Sequence, residues 1–232
     1  MEEARIVIYV GHYGSGKTSL AVATALEKRA RGKRVVAADL DIVNPYFRTK
    51  DCEALLLAHG VSLLSSPYAG SNVDLPALPK ELYALAYDEE TDAVLDVGGD
   101  DRGAVALSRY VGAMMERGDY DMRFTVNLFR PLTRTAEDAL AVLREVEGAC
   151  GLVATSLVNN SNLGYQTTAG DVLATVPEMN RLSALTGLPV RCTAFDARLS
   201  PALADTVPNP YPIKPQFYAA LPNETEETKW RN

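Results

Sequence analysis

The 232-residue sequence is poor in cysteine, histidine and tryptophan, with three, two and one of them. Cys52, Cys150 and Cys192 stand far apart, with no CxxC or CxC pair. That spacing and the odd count point neither to a cysteine-built metal site nor to a disulfide framework. They read as small buried hydrophobes. No stretch approaches the roughly 18 apolar residues that a membrane-spanning helix needs. The opening Met1-Glu2-Glu3 is acidic where a secretory signal would be basic, so a cytoplasmic protein is expected. Positive charge is outnumbered, 23 Lys and Arg against 30 Asp and Glu. A net charge of -7 and a pI near 5.0 oppose attraction to nucleic-acid phosphates and to anionic lipid, and neither partner is expected. Repeats and low-complexity tracts are absent too. What remains is a composition of 47% hydrophobic and 23% charged residues, close to the soluble globular average and enough for one core.

Short apolar runs alternate with helical segments, the pattern of a parallel sheet covered on both faces. This predicts a three-layer α/β/α domain around a mostly parallel sheet of about seven strands. Strands are expected at 5–10, 35–38, 61–64, 93–97, 123–127, 152–158 and 190–195. Helices are expected at 18–31, 51–58, 80–87, 105–117, 135–149 and 168–186. In the last of these, Thr168 and Asp171 fit a capping box, Pro177 fits a first-turn restart, and Gly187 marks the stop. After Ser200, prolines at 201, 208, 210, 212, 215 and 222 exclude long regular structure. The domain reading is therefore 1–200, followed by a Pro-rich extension over 201–232 whose Glu- and Thr-rich tail is mobile and lacks an apolar stripe.

The segment Gly11-His12-Tyr13-Gly14-Ser15-Gly16-Lys17-Thr18 satisfies G-x-x-x-x-G-K-[ST] and lies between an apolar strand and a helix. Gly11, Gly14 and Gly16 let the backbone wrap a phosphate without a Cβ in the way. The amides from Ser15 to Ser19, at a helix N-terminus, provide donors and a favourable dipole. Lys17 is expected to bridge the β- and γ-phosphates, and Thr18 to place its hydroxyl on Mg2+. Such a site also needs carboxylates at the carboxyl ends of neighbouring strands. Asp39 and Asp41 follow the second strand and Asp96 ends the run Ala93-Val94-Leu95. Asp39 and Asp96 are the candidate metal-holding carboxylates, Asp39 or Asp41 the candidate orienter of an attacking water, and Gly99 a candidate amide donor to the γ-phosphate. The alternative for each aspartate is a simple helix cap. The polar loop 41–49 reads as a nucleotide-responsive switch, and 65–79 as a long loop or partner-facing insertion. Arg48, Arg102 and Arg130 are candidates to answer phosphate charge, or surface ion pairs.

These residues resemble the MinD/ParA group of P-loop ATPases, grouped with the CobQ and CobB amidoligases and dethiobiotin synthetase. The resemblance spans most of residues 4–200. It rests on the P-loop, on Asp39-Leu40-Asp41, on the Asp96-to-Gly99 segment and on the pair Asn159-Asn160. It implies that Asp39 or Asp41 activates water, Asp39 being the better match, and that Asn159 or Asn160 contacts adenine; an Asx-turn is the other reading of that pair. His12 stands where dimerising relatives carry the signature lysine that reaches the partner's nucleotide. Asn159-Asn160-Ser161-Asn162 offers no carboxylate for guanine, so ATP/ADP is the expected nucleotide. The expected function is an ATPase switch acting on an unidentified protein partner; His12 departs from the dimerising pattern, so a nucleotide-dependent homodimer and a chain that does not pair on ATP both stay open. The alternatives are an ATP-dependent small-molecule kinase or ligase and a catalytically silent nucleotide-binding module.

Overall fold

A computed structural model of the chain describes residues 4–41, 48–65, 84–85, 87–99 and 101–214. The expected helix at 80–87 falls largely outside these residues, as do the loop 66–79 and the tail from 215. Eight strands form one parallel sheet: β1 Ile6–Val10, β2 Arg34–Leu40, β3 Ser62–Ser65, β4 Thr91–Val97, β5 Tyr120–Val126, β6 Ser156–Asn159, β7 Val190–Asp196 and β8 Pro210–Ile213. Their order is β3-β2-β4-β1-β5-β6-β7-β8. The helices are α1 Lys17–Ala30, α2 Glu53–Ala58, α3 Asp101–Ser108, α4 Val111–Arg117, α5 Ala136–Cys150, α6 Ala169–Thr186 and α7 Ser200–Leu203.

The unbroken apolar run of β1 has a direct cause. Ile6, Ile8 and Val10 enter one core with α3, α4, α5 and α6, while Val7 and Tyr9 enter another under α1. Successive side chains of a strand point to opposite faces, so a strand buried on both faces shows no alternation. The sheet is the middle layer, and burying each Leu or Ile of these faces contributes about 1.5–3 kcal/mol.

Three expectations changed in detail. The helix expected at 105–117 is two helices, divided at Arg109-Tyr110, where Tyr110 is buried as an anchor. Pro177 lies inside a continuous α6 and restarts nothing. The capping box is present, with Thr168 Oγ1 accepting from the Asp171 amide at 3.2 Å and the Thr168 amide donating to Asp171 Oδ2 at 2.8 Å.

The third change is β8, which extends the sheet past residue 200 despite its prolines. Thr193 donates its amide to the Asn209 carbonyl at 3.0 Å, so the odd-numbered residues carry the ladder toward β7. Pro210 and Pro212 then turn their missing N–H groups to the open edge, where no ladder bond is lost.

At the other end of the strands, buried Lys28 of α1 donates to Asp92 of β4 at 2.7 Å and to the Ala4 carbonyl at 2.9 Å. This pins the helix that follows the Gly-rich loop. Lys28→Met would leave Asp92 as an unpaired buried carboxylate, with an expected cost of about 3–5 kcal/mol. Urea denaturation checks this, and a loss below 1 kcal/mol would show the pair to be dispensable. Among the described residues, no helix is long and apolar enough to cross a membrane.

Candidate active site at the carboxyl ends of the strands

The loop between β1 and α1 folds as its glycines dictate. Gly11, Gly14 and Gly16 have φ of 140°, 74° and 85°. A Cβ on Gly11 would lie 2.4 Å from the Thr125 carbonyl oxygen, and one on Gly16 would lie 2.2 Å from Asn160 Nδ2. Gly16 caps α1 with no side-chain bond to the helix amides, and the first turn holds no acidic residue. The turn thus carries no acidic side chain of its own to repel an anion at its N-terminus. Ser15 is 1% exposed, yet its hydroxyl has no hydrogen-bond partner among the described residues. Lys17 folds back so that Nζ donates to the His12 carbonyl at 3.2 Å.

The ends of the neighbouring strands β5 and β6 support this loop. Asn160 Nδ2 donates to the Ser15 carbonyl at 2.7 Å. Asn127 Nδ2 donates to the Asn162 carbonyl at 3.1 Å and Arg130 Nε to the Gly14 carbonyl at 3.0 Å. Asn159 Nδ2 donates to Thr175 Oγ1 at 2.9 Å, while its Oδ1 accepts from the Ser161 hydroxyl at 2.8 Å. The structure thus places Asn160 against the phosphate loop and turns Asn159 toward α6. Asn127 carries no motif in the sequence. Its one signal is its place directly after the strand β5.

The carboxylates converge from β2 and β4, which lie side by side with Asp39 opposite Asp96. Asp96 Oδ2 accepts from Thr18 Oγ1 at 2.7 Å and from Thr49 Oγ1 at 2.9 Å. Burial above all, then the neighbouring Asp39, pushes the Asp96 carboxyl up to about 7, against the hydroxyl bonds and Lys17. Asp39 accepts from the Asp41 amide at 3.0 Å and the Lys50 amide at 3.2 Å. Arg48 Nη2 lies 3.3 Å from Asp39 Oδ2. Burial also raises the Asp39 carboxyl, with Arg48 opposing it.

Asp41 sits beside Gly98, where an added Cβ would lie 3.2 Å from its Oδ1. Gly99 abuts the loop itself. A Cβ there would lie 2.5 Å from the Tyr13 amide nitrogen and 2.9 Å from Lys17 Nζ. The loop 42–47, between Asp41 and Arg48, and the Arg102 side chain lie outside the described residues.

Phosphates and Mg2+ fit this arrangement. The glycine cradle leaves no room for side chains, and the Ser15 hydroxyl and the α1 terminus offer donors. Among the described residues no group of three His, Cys, Asp or Glu is placed to hold a metal by itself. A cation here would take the Thr18 hydroxyl, Asp96 and Asp39 directly or through water, and complete its shell from phosphates.

No protein-family model matches the sequence, and no curated protein matches it. Solved structures do match in fold. The cell division protein FtsY of Thermotoga maritima aligns with a TM-score of 0.58 at 18% identity, over 82% of this chain and 61% of that one. Chloroplast FtsY of Physcomitrella patens aligns with a TM-score of 0.52 at 18% identity, over 83% of this chain and 58% of that one. The signal recognition particle 54 kDa protein of Aeropyrum pernix, solved with GDP, aligns with a TM-score of 0.50 at 15% identity, over 83% of this chain and 41% of that one. This chain therefore spans roughly two fifths to three fifths of the length of these neighbours. Its architecture is a three-layer α/β/α P-loop NTPase fold.

Proposed function

We propose that the chain binds and hydrolyses magnesium-bound ATP as a MinD/ParA-like switch that acts on a partner protein. The observation that carries this reading is the bond from Thr18 Oγ1 to Asp96 Oδ2, which joins the phosphate loop to a strand-end carboxylate 78 residues away. Such a pairing of hydroxyl and carboxylate is the protein's share of a magnesium-triphosphate site.

The roles follow from position. Backbone amides of residues 14–19 and Lys17 hold the phosphates, and Gly99 brings its backbone against them. Bound Mg2+ would neutralise charge on the β- and γ-phosphate oxygens. Asp39 orients water, whose oxygen attacks the γ-phosphorus as the bond to the bridging oxygen breaks; ADP leaves, and the water proton ends on inorganic phosphate.

Adenine is favoured over guanine because the strand-end segment Asn159-Asn160-Ser161-Asn162 carries no carboxylate to take the guanine N1 and N2 protons. The nearby carboxylate at the end of β7, Asp196, is already taken by Arg198 Nε at 3.0 Å and the Arg198 amide at 2.9 Å. A partner surface is supported by apolar side chains exposed on the loops at this end: Tyr13, Leu132, Leu163 and Tyr165, the last 74% exposed.

The test is a titration with ATP and GTP, with and without Mg2+, together with phosphate release. ATP is expected to bind at least about tenfold more tightly than GTP, a difference of 1.4 kcal/mol. Asp39→Asn is expected to slow phosphate release about 100-fold while binding is kept. A preference for GTP would overturn the base assignment, and release at the wild-type rate from Asp39→Asn would move the water-orienting role to Asp41. Light scattering with Mg-ADP and with a slowly hydrolysed ATP analogue reads the homodimer, which is expected only with the triphosphate.

A further inference from the structure

Arg48 is 7% exposed, yet its Nε and Nη2 have no hydrogen-bond partner among the described residues. Buried donors are ordinarily satisfied, and an unsatisfied buried guanidinium is among the costlier exceptions. Nη2 is near the Asp39 carboxylate at 3.3 Å but out of line for a hydrogen bond, so this is a charge contact with unused donors.

The backbone beneath the side chain is fixed. The Arg48 amide donates to Asp51 Oδ2 at 2.9 Å and the Asp51 amide returns to the Arg48 carbonyl at 2.9 Å. The next two residues hold the aspartates directly, Thr49 through its hydroxyl on Asp96 and Lys50 through its amide on Asp39. A guanidinium on this anchor is held at the carboxylates that face the phosphate loop. Arg130, by contrast, is exposed and spends its Nε on the Gly14 carbonyl.

We propose that Arg48 is a catalytic residue that reads the γ-phosphate. Once a triphosphate is bound, its guanidinium turns from Asp39 to the γ-phosphoryl oxygens and leaves Asp39 to the attacking water. A phosphoryl group offers the paired acceptors that the planar fork matches, and Asp39 in its present alignment does not. Charge on those oxygens develops in phosphoryl transfer, so a second cation there acts where it is needed. The proposal rests on the nucleotide reading above.

The test is calorimetric titration of the wild type, Arg48→Ala and Arg48→Lys with Mg-ADP and with Mg-ADP plus aluminium fluoride, which mimics the transferring phosphoryl group. Arg48→Ala is expected to bind ADP within about threefold of the wild type, but the aluminium fluoride complex about 10²–10³-fold more weakly, with turnover reduced in parallel. Arg48→Lys is expected to recover little, because a point charge lacks the fork. It also decides the matter if the alanine variant fails to fold.

Unchanged affinity of either variant for the aluminium fluoride complex would overturn the proposal. So would an equal loss for both ligands, which is the mark of a structural prop. A wild type that binds no adenine nucleotide would sink the reading beneath it first.

Discussion

Lys17→Ala is expected to weaken ATP binding by about 10²–10⁴-fold and leave the fold intact. The loss follows from two charge-assisted bonds to the β- and γ-phosphates at about 1.5–3 kcal/mol each, with 1.4 kcal/mol to a decade. The fold is spared for local reasons. In the nucleotide-free protein, Lys17 Nζ donates to the His12 carbonyl at 3.2 Å, a bond worth about 1 kcal/mol. Against that, a cation in the first turn of α1 opposes the helix dipole, and alanine is the better helix former. Lys17 also lowers the cost of the buried Asp96 charge, so the variant is expected to melt below the wild type while still unfolding cooperatively. Fluorescence titration and thermal melting read the two halves. ATP affinity within threefold of the wild type would remove the phosphate-loop assignment.

The nucleotide-free protein is expected to lose stability as pH rises from 5 to 8, and Asp96→Asn to flatten that slope. The Asp96 carboxyl titrates near 7 in the fold against 3.8 in its absence. A folded-state pKa raised in this way means that the folded chain binds the proton more tightly. Its contribution is whole below pH 3.8, declines from there, and is gone as pH passes 7. The displacement of about three units corresponds to about 4 kcal/mol, of which about 3 kcal/mol falls between pH 5 and pH 8. Asp39, raised by the same burial, steepens the slope. Urea denaturation at both pH values checks it. Equal pH dependence in wild type and Asp96→Asn would show that another group carries the effect. Lys17 opposes the rise at Asp96, so in Lys17→Ala the slope should extend above pH 7.

The phosphate loop was legible because its chemistry is local. Glycine spacing, a lysine and a hydroxyl within eight residues define a backbone curve, and the flanking strand and helix are set by apolar runs and caps of their own. Asp39 and Asp96 were legible by position, since both end apolar runs. Arg48 was visible only as one of three arginines, because nothing in a sequence separates a surface cation from a buried one with unused donors. Thr49 and Asn127 carried no motif. Their roles exist only because β2 lies beside β4 and β5 beside β6.

The sequence by itself determined a phosphate loop between a strand and a helix, the alternation that builds a parallel sheet covered on both faces, and the cap of α6. Each depends on neighbours within a few turns of chain. The tertiary structure alone decided that Asp39 and Asp96 stand opposite each other, that Thr18 and Thr49 share one carboxylate oxygen, that Asn160 and Arg130 hold the loop, and that proline-bearing β8 joins the sheet. These contacts join residues tens to more than a hundred positions apart, and strand order sets them. That order follows from which apolar faces the helices can cover together, a property of the whole chain.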